Sequence, residues 1–237
     1  VRTTRAAYRA EAMASAPRQL ALSLDHAEKL SREDFLPGPP NGAALAMIDR
    51  WPDWPARALV VAGPEGSGKS HLAAIWSQDS GARVLSARAL QTATLPEALA
   101  TGALVLEDCG EGRLDERALF HLLNLVREQD AFLLMTGRTM PALWGMKLPD
   151  LVSRLRAVPV VSVAMPDDAL LRAVMVKLFA DRQLGVDESL VSYLLARIQR
   201  SFAAVQKAVR TLDREALQRK RPVNRALAAE LLQELSS

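Results

Sequence analysis

The chain has 237 residues, of which 49% are hydrophobic and 24% charged, as expected for one soluble α/β core with a smaller attached domain. Its single cysteine, Cys109, excludes an internal disulfide framework and a cysteine-cluster metal site. No apolar run reaches the roughly 20 residues of a membrane span, so we expect a cytoplasmic protein with no membrane partner. The net charge of +3 is too small to indicate nucleic-acid binding by itself.

The first 36 residues are predicted to form an arm, because they show little periodicity and Pro17 interrupts any helix. A turn cluster at 37–42 follows, and residues 43–50 have helical spacing. Two tryptophans, Trp51 and Trp54, then alternate with prolines. We interpret them as anchors of a loop on the core rather than as base-binding groups.

Short apolar runs bounded by turn residues recur five times between 58 and 163 and have the character of buried parallel strands. The predicted strands are 58–62, 82–86, 103–106, 131–136 and 158–163. Helical stretches at 70–80, 95–100 and 116–129 separate them. This alternation predicts an α/β core at 37–165, with a five-stranded parallel sheet covered by helices.

From residue 166 onward no strand signal remains, and four helices are predicted at 168–182, 187–199, 201–220 and 223–235. Asp168, Asp187 and Asn224 are placed to cap helix starts. The pattern predicts a small all-helical domain at 166–237. Basic residues outnumber acidic ones between Arg197 and Arg225, which suits phosphate or an acidic partner but is more often a solvated helix face.

The loop after the first predicted strand satisfies G-x-x-x-x-G-K-[ST] in full, as Gly63-Pro64-Glu65-Gly66-Ser67-Gly68-Lys69-Ser70. Its glycines let backbone N–H groups surround phosphates, and the following helix adds its positive dipole end. Lys69 is suited to the β- and γ-phosphates and the Ser70 hydroxyl to Mg²⁺. The loop therefore predicts binding of ADP or ATP with Mg²⁺.

An acidic pair, Glu107 and Asp108, ends the third predicted strand, where P-loop proteins carry the carboxylate that holds the magnesium shell. Either carboxylate suits Mg²⁺ or an attacking water, and either could simply cap the loop. We assign the metal to Glu107 and the water to Asp108. Because Glu107 stands where an aspartate is usual, rapid intrinsic hydrolysis is not expected.

Four segments together resemble the AAA+ module of the DnaA family of bacterial replication initiators: Phe35-Leu36 with Asn41, and residues 68–72, 136–141 and 151–155. The resemblance runs from about residue 33 to the end of the chain. It stops where DnaA proteins begin their helix-turn-helix domain, and a module of that extent is similar to the Hda type of DnaA-related regulators. The resemblance implies an AAA+ core, a helical lid and regulation of replication initiation.

A segment of the arm, Gln19-Leu20-Ala21-Leu22-Ser23-Leu24, resembles the Q-L-x-L-x-L/F peptide with which such regulators bind the DNA polymerase sliding clamp. An extended peptide of this kind can place Gln19 in a polar subsite and Leu20, Leu22 and Leu24 in an apolar pocket. The resemblance implies the clamp and DnaA as partners. It implies DNA contact through the clamp, and it leaves a homo-oligomer possible.

The resemblance also assigns roles to single residues. Phe35 and Leu36 match the segment that packs on adenine, and His71 joins the cofactor-binding set with the P-loop. Thr136 matches the sensor at the end of the fourth strand, although a strand-ending threonine can also cap a turn. Arg154 matches the arginine finger that reaches a neighbouring subunit's nucleotide, with Arg156 as a competing candidate and a surface salt bridge as the alternative.

One departure from the family pattern concerns the second sensor arginine, which such modules carry at the start of the third lid helix. Our alignment places Ala203 there, with Arg200 one helical turn earlier as a possible substitute. With Glu107, this departure favours a protein that holds ADP or hydrolyses ATP slowly, and whose Arg154 promotes ATP hydrolysis on DnaA. The alternatives are an autonomous helicase loader or DNA-remodelling ATPase, and a nucleotide-stabilised adaptor without catalysis.

Overall fold

The computed structural model describes residues 30–112 and 114–231. Five strands alternate with helices in its first part: β1 (Ala58–Ala62), β2 (Arg83–Ser86), β3 (Ala103–Cys109), β4 (Phe132–Gly137) and β5 (Val160–Ser162). The helices there are α1 (Gly42–Asp49), α2 (Lys69–Ser80), α3 (Leu95–Ala98), α4 (Glu116–Glu128) and α5 (Pro149–Ala157).

The five strands form one sheet in the order β2-β3-β4-β1-β5, and every neighbouring pair is parallel. This confirms the predicted α/β class and the predicted parallel sheet. In the aligned registers Ala62 lies beside Gly137 of β4 and Ser162 of β5, and Cys109 of β3 lies on the far side of Gly137. The loops that leave these strands therefore meet at one edge of the sheet, where open α/β sheets bind ligands.

Side chains alternate between the two faces of the sheet, and each face has its own apolar core. Val60 of β1 points to the face covered by α4 and α5, whereas Leu59 and Val61 point to the face covered by α1 and α2. Trp54 is buried on the second face, stacks on Trp76 at 5.0 Å between ring centroids, and donates its indole N–H to the Met47 carbonyl. The tryptophan loop is thus anchored on the core, as interpreted from the sequence.

The second part of the chain has no strand among its described residues and forms four helices around a separate apolar cluster: α6 (Asp168–Asp181), α7 (Glu188–Leu195), α8 (Phe202–Arg219) and α9 (Arg225–Glu230). Asp187 and Asn224 cap α7 and α9 as predicted. For α6 the prediction was off by one residue, because Asp167 accepts from the Leu170 N–H and Asp168 lies inside the first turn. Within the described parts of the chain, no helix combines the length and apolarity needed to cross a membrane.

Candidate nucleotide-binding site

The loop between β1 and α2 is shaped by glycines at positions that no other residue suits. A Cβ on Gly63 would lie 2.2 Å from the Val163 carbonyl oxygen, so this residue lets the loop pass directly beside the end of β5. Gly66 and Gly68 have φ values of +76° and +97°, which L side chains rarely adopt. The resulting curled backbone directly precedes α2, the arrangement that binds phosphate groups in P-loops.

Replacement of Gly63 by Ala is expected to destabilise the protein by about 1–3 kcal/mol, because the added methyl group clashes with backbone and cannot be relieved by a rotamer change. Urea unfolding measures the loss. Gly42→Ala is the matched control, since nothing lies within 4 Å of the added Cβ at the start of α1. Equal stability of the two variants would contradict the close packing of the P-loop on β5.

Lys69 begins α2 and turns its ammonium group back toward the loop, where Nζ donates to the Pro64 carbonyl at 2.8 Å. Burial lowers the pKa of Lys69, and the nearby carboxylates of Glu111, Asp108 and Glu65 oppose that shift. The Ser67 hydroxyl is buried and has no hydrogen-bond partner in the described part of the chain, whereas Ser70 is exposed in the first turn of α2. A cationic side chain over a loop of N–H donors fits a polyphosphate.

The acidic pair lies where β3 leaves its regular pairing with β4. A register shift falls between Leu106 and Cys109, and Asp108 adopts a left-handed φ of +61°. The Asp108 N–H donates to the Thr136 hydroxyl at 3.2 Å, and Thr136 is buried. Thr136 thus ties the ends of β3 and β4 together beside the P-loop and keeps its own hydroxyl proton available.

Glu107 is half-buried and Asp108 is exposed, and both lie in the last three residues of β3. No group of three metal-ligating side chains is found among residues 30–112 and 114–231. The hydroxyl and carboxylate oxygens of Ser70, Glu107 and Asp108 are of the type that Mg²⁺ prefers, and a site built on them would need phosphate and water as further ligands.

The segment that precedes α1 packs against the first turn of α2, directly after the P-loop. Phe35 is buried, and its ring meets His71 edge-on at 5.1 Å between centroids, while His71 Nε2 lies 2.8 Å from the Ser31 carbonyl oxygen. Asn41 is buried and bonds to the backbone of Leu36 and Gly38. His71 therefore positions the Phe35-Leu36 segment instead of pointing freely into the site.

The N-terminus of α8 lies against the P-loop. A Cβ on Gly66 would lie 3.5 Å from the Ser201 Cβ, and one on Gly68 would lie 3.4 Å from the Phe202 ring. Ala203 is the next residue and is exposed, so the position aligned with the second sensor carries no polar group at the P-loop. Arg200 is directed elsewhere and pairs with Asp168 at 3.0 Å.

Sequence reasoning missed an ion-paired arginine beside the P-loop. Arg138, two residues after Thr136, pairs with Glu65 of the P-loop at 2.8 Å and with Glu111 of the loop after β3. The hydrogen bond to Glu111 is the main cause that raises the pKa of Arg138. The motif Thr136-Gly137-Arg138 was an available signal, but nothing local in the sequence identifies Glu65 and Glu111 as its partners.

Arg154 lies on α5, a helix that the strand and helix patterns did not predict. It is half-buried, its guanidinium carbon lies 5.1 Å from the centre of the Phe120 ring of α4, and it has no acidic partner among the described residues. The alternative of a surface salt bridge therefore does not apply within those parts of the chain. Arg156 is exposed. The clamp-binding-like segment 19–24 lies outside the described residues.

The basic stretch between Arg197 and Arg225 is largely paired with the protein's own groups. Arg219 and Arg221 both reach Glu230 at 3.0 Å, and Arg200 reaches Asp168. The guanidinium groups of Arg197 and Arg225 stack on Tyr193. This pairing favours a solvated helix face over a dedicated phosphate-binding patch.

A five-stranded parallel sheet in this order, with a P-loop after β1 and a helical segment whose third helix meets that loop, defines an AAA+ P-loop module. Solved structures with this fold include domain III of the Thermotoga maritima replication initiation protein DnaA. It has a TM-score of 0.70 and 18% identity, and the match covers 88% of this chain and 97% of that one.

AMPPCP-bound DnaA from Aquifex aeolicus matches with a TM-score of 0.64 and 18% identity over 79% of this chain and 67% of that one. The Thermotoga maritima RuvB Holliday junction branch migration motor matches with a TM-score of 0.66 and 13% identity over 86% and 71%. No protein-family model and no curated protein sequence matches the chain. At these identities the likeness shows the fold.

Proposed function

We propose that the protein is an Hda-type, clamp-associated AAA+ regulator that binds ADP or ATP with Mg²⁺ and promotes hydrolysis of ATP bound to DnaA. The observation that carries this proposal is Arg154. A half-buried guanidinium, stacked on Phe120 and without a carboxylate partner among the described residues, is held ready for an anion that this part of the chain does not supply.

The protein's own nucleotide has a mainly structural role in this proposal. Lys69 and the loop N–H groups hold the phosphates, and Phe35 and Leu36 hold the base. The start of α8 contributes Ser201, Phe202 and Ala203 but no arginine, so the charge that develops during phosphoryl transfer would lack one stabilising group. Bound nucleotide would instead fix the helical segment against the core.

Arg154 acts on the nucleotide that the partner, DnaA, holds. An arginine supplied in trans stabilises the charge on the transferred phosphoryl group, and such a residue raises turnover by roughly 10³–10⁵-fold in well-studied systems. Asp108 at the end of β3 and Thr136 at the end of β4, joined by a hydrogen bond, are the residues that would orient water in slow hydrolysis in cis. The protein is thus closer to an activating subunit than to a free-standing ATPase.

The N-terminal arm has the role of clamp binding in this proposal. We assign residues 1–36 to the arm, 37–165 to the core and 166–237 to the lid, and we assign clamp binding to Gln19, Leu20, Leu22 and Leu24. Clamp binding would bring the protein to DNA indirectly and raise its effective concentration near DnaA. A homo-oligomer of the protein is compatible with the same trans geometry.

The proposal is tested with DnaA that has been preloaded with labelled ATP and mixed with this protein, with and without clamp loaded on DNA. We expect conversion to ADP to accelerate only when both the protein and the loaded clamp are present. A variant with Gln19, Leu22 and Leu24 replaced by Ala should lose the clamp-dependent part. Acceleration without the clamp would refute the tethering role, and no acceleration under any condition would refute the regulatory role.

The rival functions predict different results in the same experiment. An autonomous loader or remodeller would show ATP turnover by the protein alone that rises with DNA. The likeness to the RuvB motor fold is compatible with that, but the pairing of Arg200, Arg219 and Arg221 within the chain leaves less free charge for direct DNA contact. A pure adaptor would bind nucleotide and the clamp and accelerate nothing.

A further inference from the structure

Three charged residues from three different loops meet beside the P-loop; we call them the Arg138 cluster. Arg138 follows β4, Glu65 belongs to the P-loop and Glu111 belongs to the loop after β3. Arg138 bonds to both carboxylates at once. The cluster therefore joins the three loops that surround the end of a bound phosphate chain.

The sheet explains why Arg138 reaches this place. Gly137 pairs with Ala62, and the Gly63 N–H donates to the Gly137 carbonyl at 3.0 Å, so the chain beyond β4 leaves the sheet beside the P-loop. The charges of Arg138, Glu65 and Glu111 all act on Lys69, whose ammonium group lies over the loop. Because Arg138 bonds to Glu65 within the P-loop, its guanidinium lies beside the loop over which the Lys69 ammonium group is held.

The two carboxylates of the cluster are not equivalent. The Glu111 side chain is only 21% exposed, whereas that of Glu65 is 78% exposed. An exposed ion pair contributes little because water screens it, and its carboxylate is free to turn away. Glu111 is therefore a fixed anchor for Arg138, and Glu65 is a partner that a competing anion can displace.

We propose that Arg138 distinguishes nucleoside triphosphate from diphosphate at this P-loop: the terminal phosphate displaces Glu65 from its guanidinium while Glu111 keeps the side chain in place. This inference rests on the proposed nucleotide site. With diphosphate bound, Arg138 stays on Glu65 and holds the P-loop to the loop between β4 and α5. With triphosphate bound, that tie is released, which couples the nucleotide state to the loop that leads to Arg154.

The test is calorimetric binding of ADP and of the non-hydrolysable triphosphate AMPPCP, each with Mg²⁺, to the full-length protein and its variants. For Arg138→Ala we expect AMPPCP binding to weaken by roughly tenfold and ADP binding to change less than about twofold, since only the charge-assisted contact to the terminal phosphate is lost. Glu65→Gln should strengthen AMPPCP binding relative to ADP, because the competing carboxylate is removed. The two variants are thus expected to change the ratio of AMPPCP affinity to ADP affinity in opposite directions.

Arg57→Ala is the matched control, because Arg57 also pairs with an acidic residue, Asp130, but precedes β1 at the opposite end of the sheet. Its ratio of the two affinities should be that of the unchanged protein. Equal weakening of both nucleotides in Arg138→Ala, or weaker AMPPCP binding in Glu65→Gln, would overturn the proposal and leave the cluster as a structural tie. If Arg138→Ala fails to fold, the Glu65→Gln ratio decides.

These outcomes are separate from those of the proposed regulatory function, because the binding assay contains neither DnaA nor the clamp. Loss of regulation with the expected affinity ratios would leave the Arg138 inference standing. Failure of the unchanged protein to bind either nucleotide would overturn both.

Discussion

Replacement of Arg154 by Ala is expected to reduce the stimulated hydrolysis of DnaA-bound ATP by roughly a thousandfold, that is to the unstimulated level, because a finger arginine contributes at least that factor to turnover. Nucleotide binding by the protein itself should be unchanged. The measurement is the rate of ADP formation on preloaded DnaA in the presence of clamp-loaded DNA.

Two further variants sharpen this result. Arg156→Ala is the control, since Arg156 lies on the same helix, is exposed and has no stacking partner among the described residues. Arg154→Lys keeps the charge but loses the planar fork and the stacking on Phe120, so it should remain strongly impaired. Full activity of Arg154→Ala, or an equal loss in Arg156→Ala, would show that the finger has been assigned to the wrong residue.

Replacement of Lys69 by Ala is expected to weaken binding of both ADP and AMPPCP by roughly a hundredfold or more, because the loop loses the positive charge that meets two phosphates. Fluorescence or calorimetric titration measures the loss. The unfolding free energy of the nucleotide-free protein should fall little, since among the described residues the Lys69 ammonium group bonds only to the Pro64 carbonyl of its own loop.

Lys69→Ala is also expected to lose stimulation of DnaA, for a different reason from Arg154→Ala. Without nucleotide, the helical segment would be held at the site by protein contacts alone, among them those of Ser201 and Phe202 with the P-loop. Unchanged nucleotide affinity in Lys69→Ala would contradict the P-loop assignment itself.

The sheet and the P-loop were predictable because their signals are local. Each strand is a short apolar run between turn residues, and the pattern from Gly63 to Ser70 carries glycines where the backbone of a P-loop must turn. The buried β1 is an example, since every residue from Ala58 to Ala62 is apolar and enclosed by neighbours on both faces.

Helix α5 was missed although a signal was present. Pro149 stands at its first turn and Leu151 and Leu155, four residues apart, are both buried on one face. The helix is only nine residues long, and the repeated prolines and glycines before it favoured a loop. The one-residue error at Asp167 has a similar origin, because two adjacent aspartates offer equivalent caps in the sequence.

The contacts that define the site in detail were not predictable from local patterns. Arg138 meets Glu65 and Glu111 only because β4 lies between β1 and β3 in the sheet. Phe202 meets Gly68 only because the helical segment folds back on the core, across more than a hundred intervening residues. These are tertiary juxtapositions, and a single sequence carries no spacing that encodes them.

We propose that this protein promotes ATP hydrolysis in a neighbour's site rather than in its own, and an isotope-placement experiment distinguishes the two sites. DnaA is loaded with labelled ATP while this protein holds AMPPCP, and the reverse loading is run in parallel, both with clamp-loaded DNA. We expect rapid formation of labelled ADP in the first arrangement and slow formation in the second. Rapid hydrolysis only when this protein holds the labelled ATP would show instead that the chain is an ATPase in its own right.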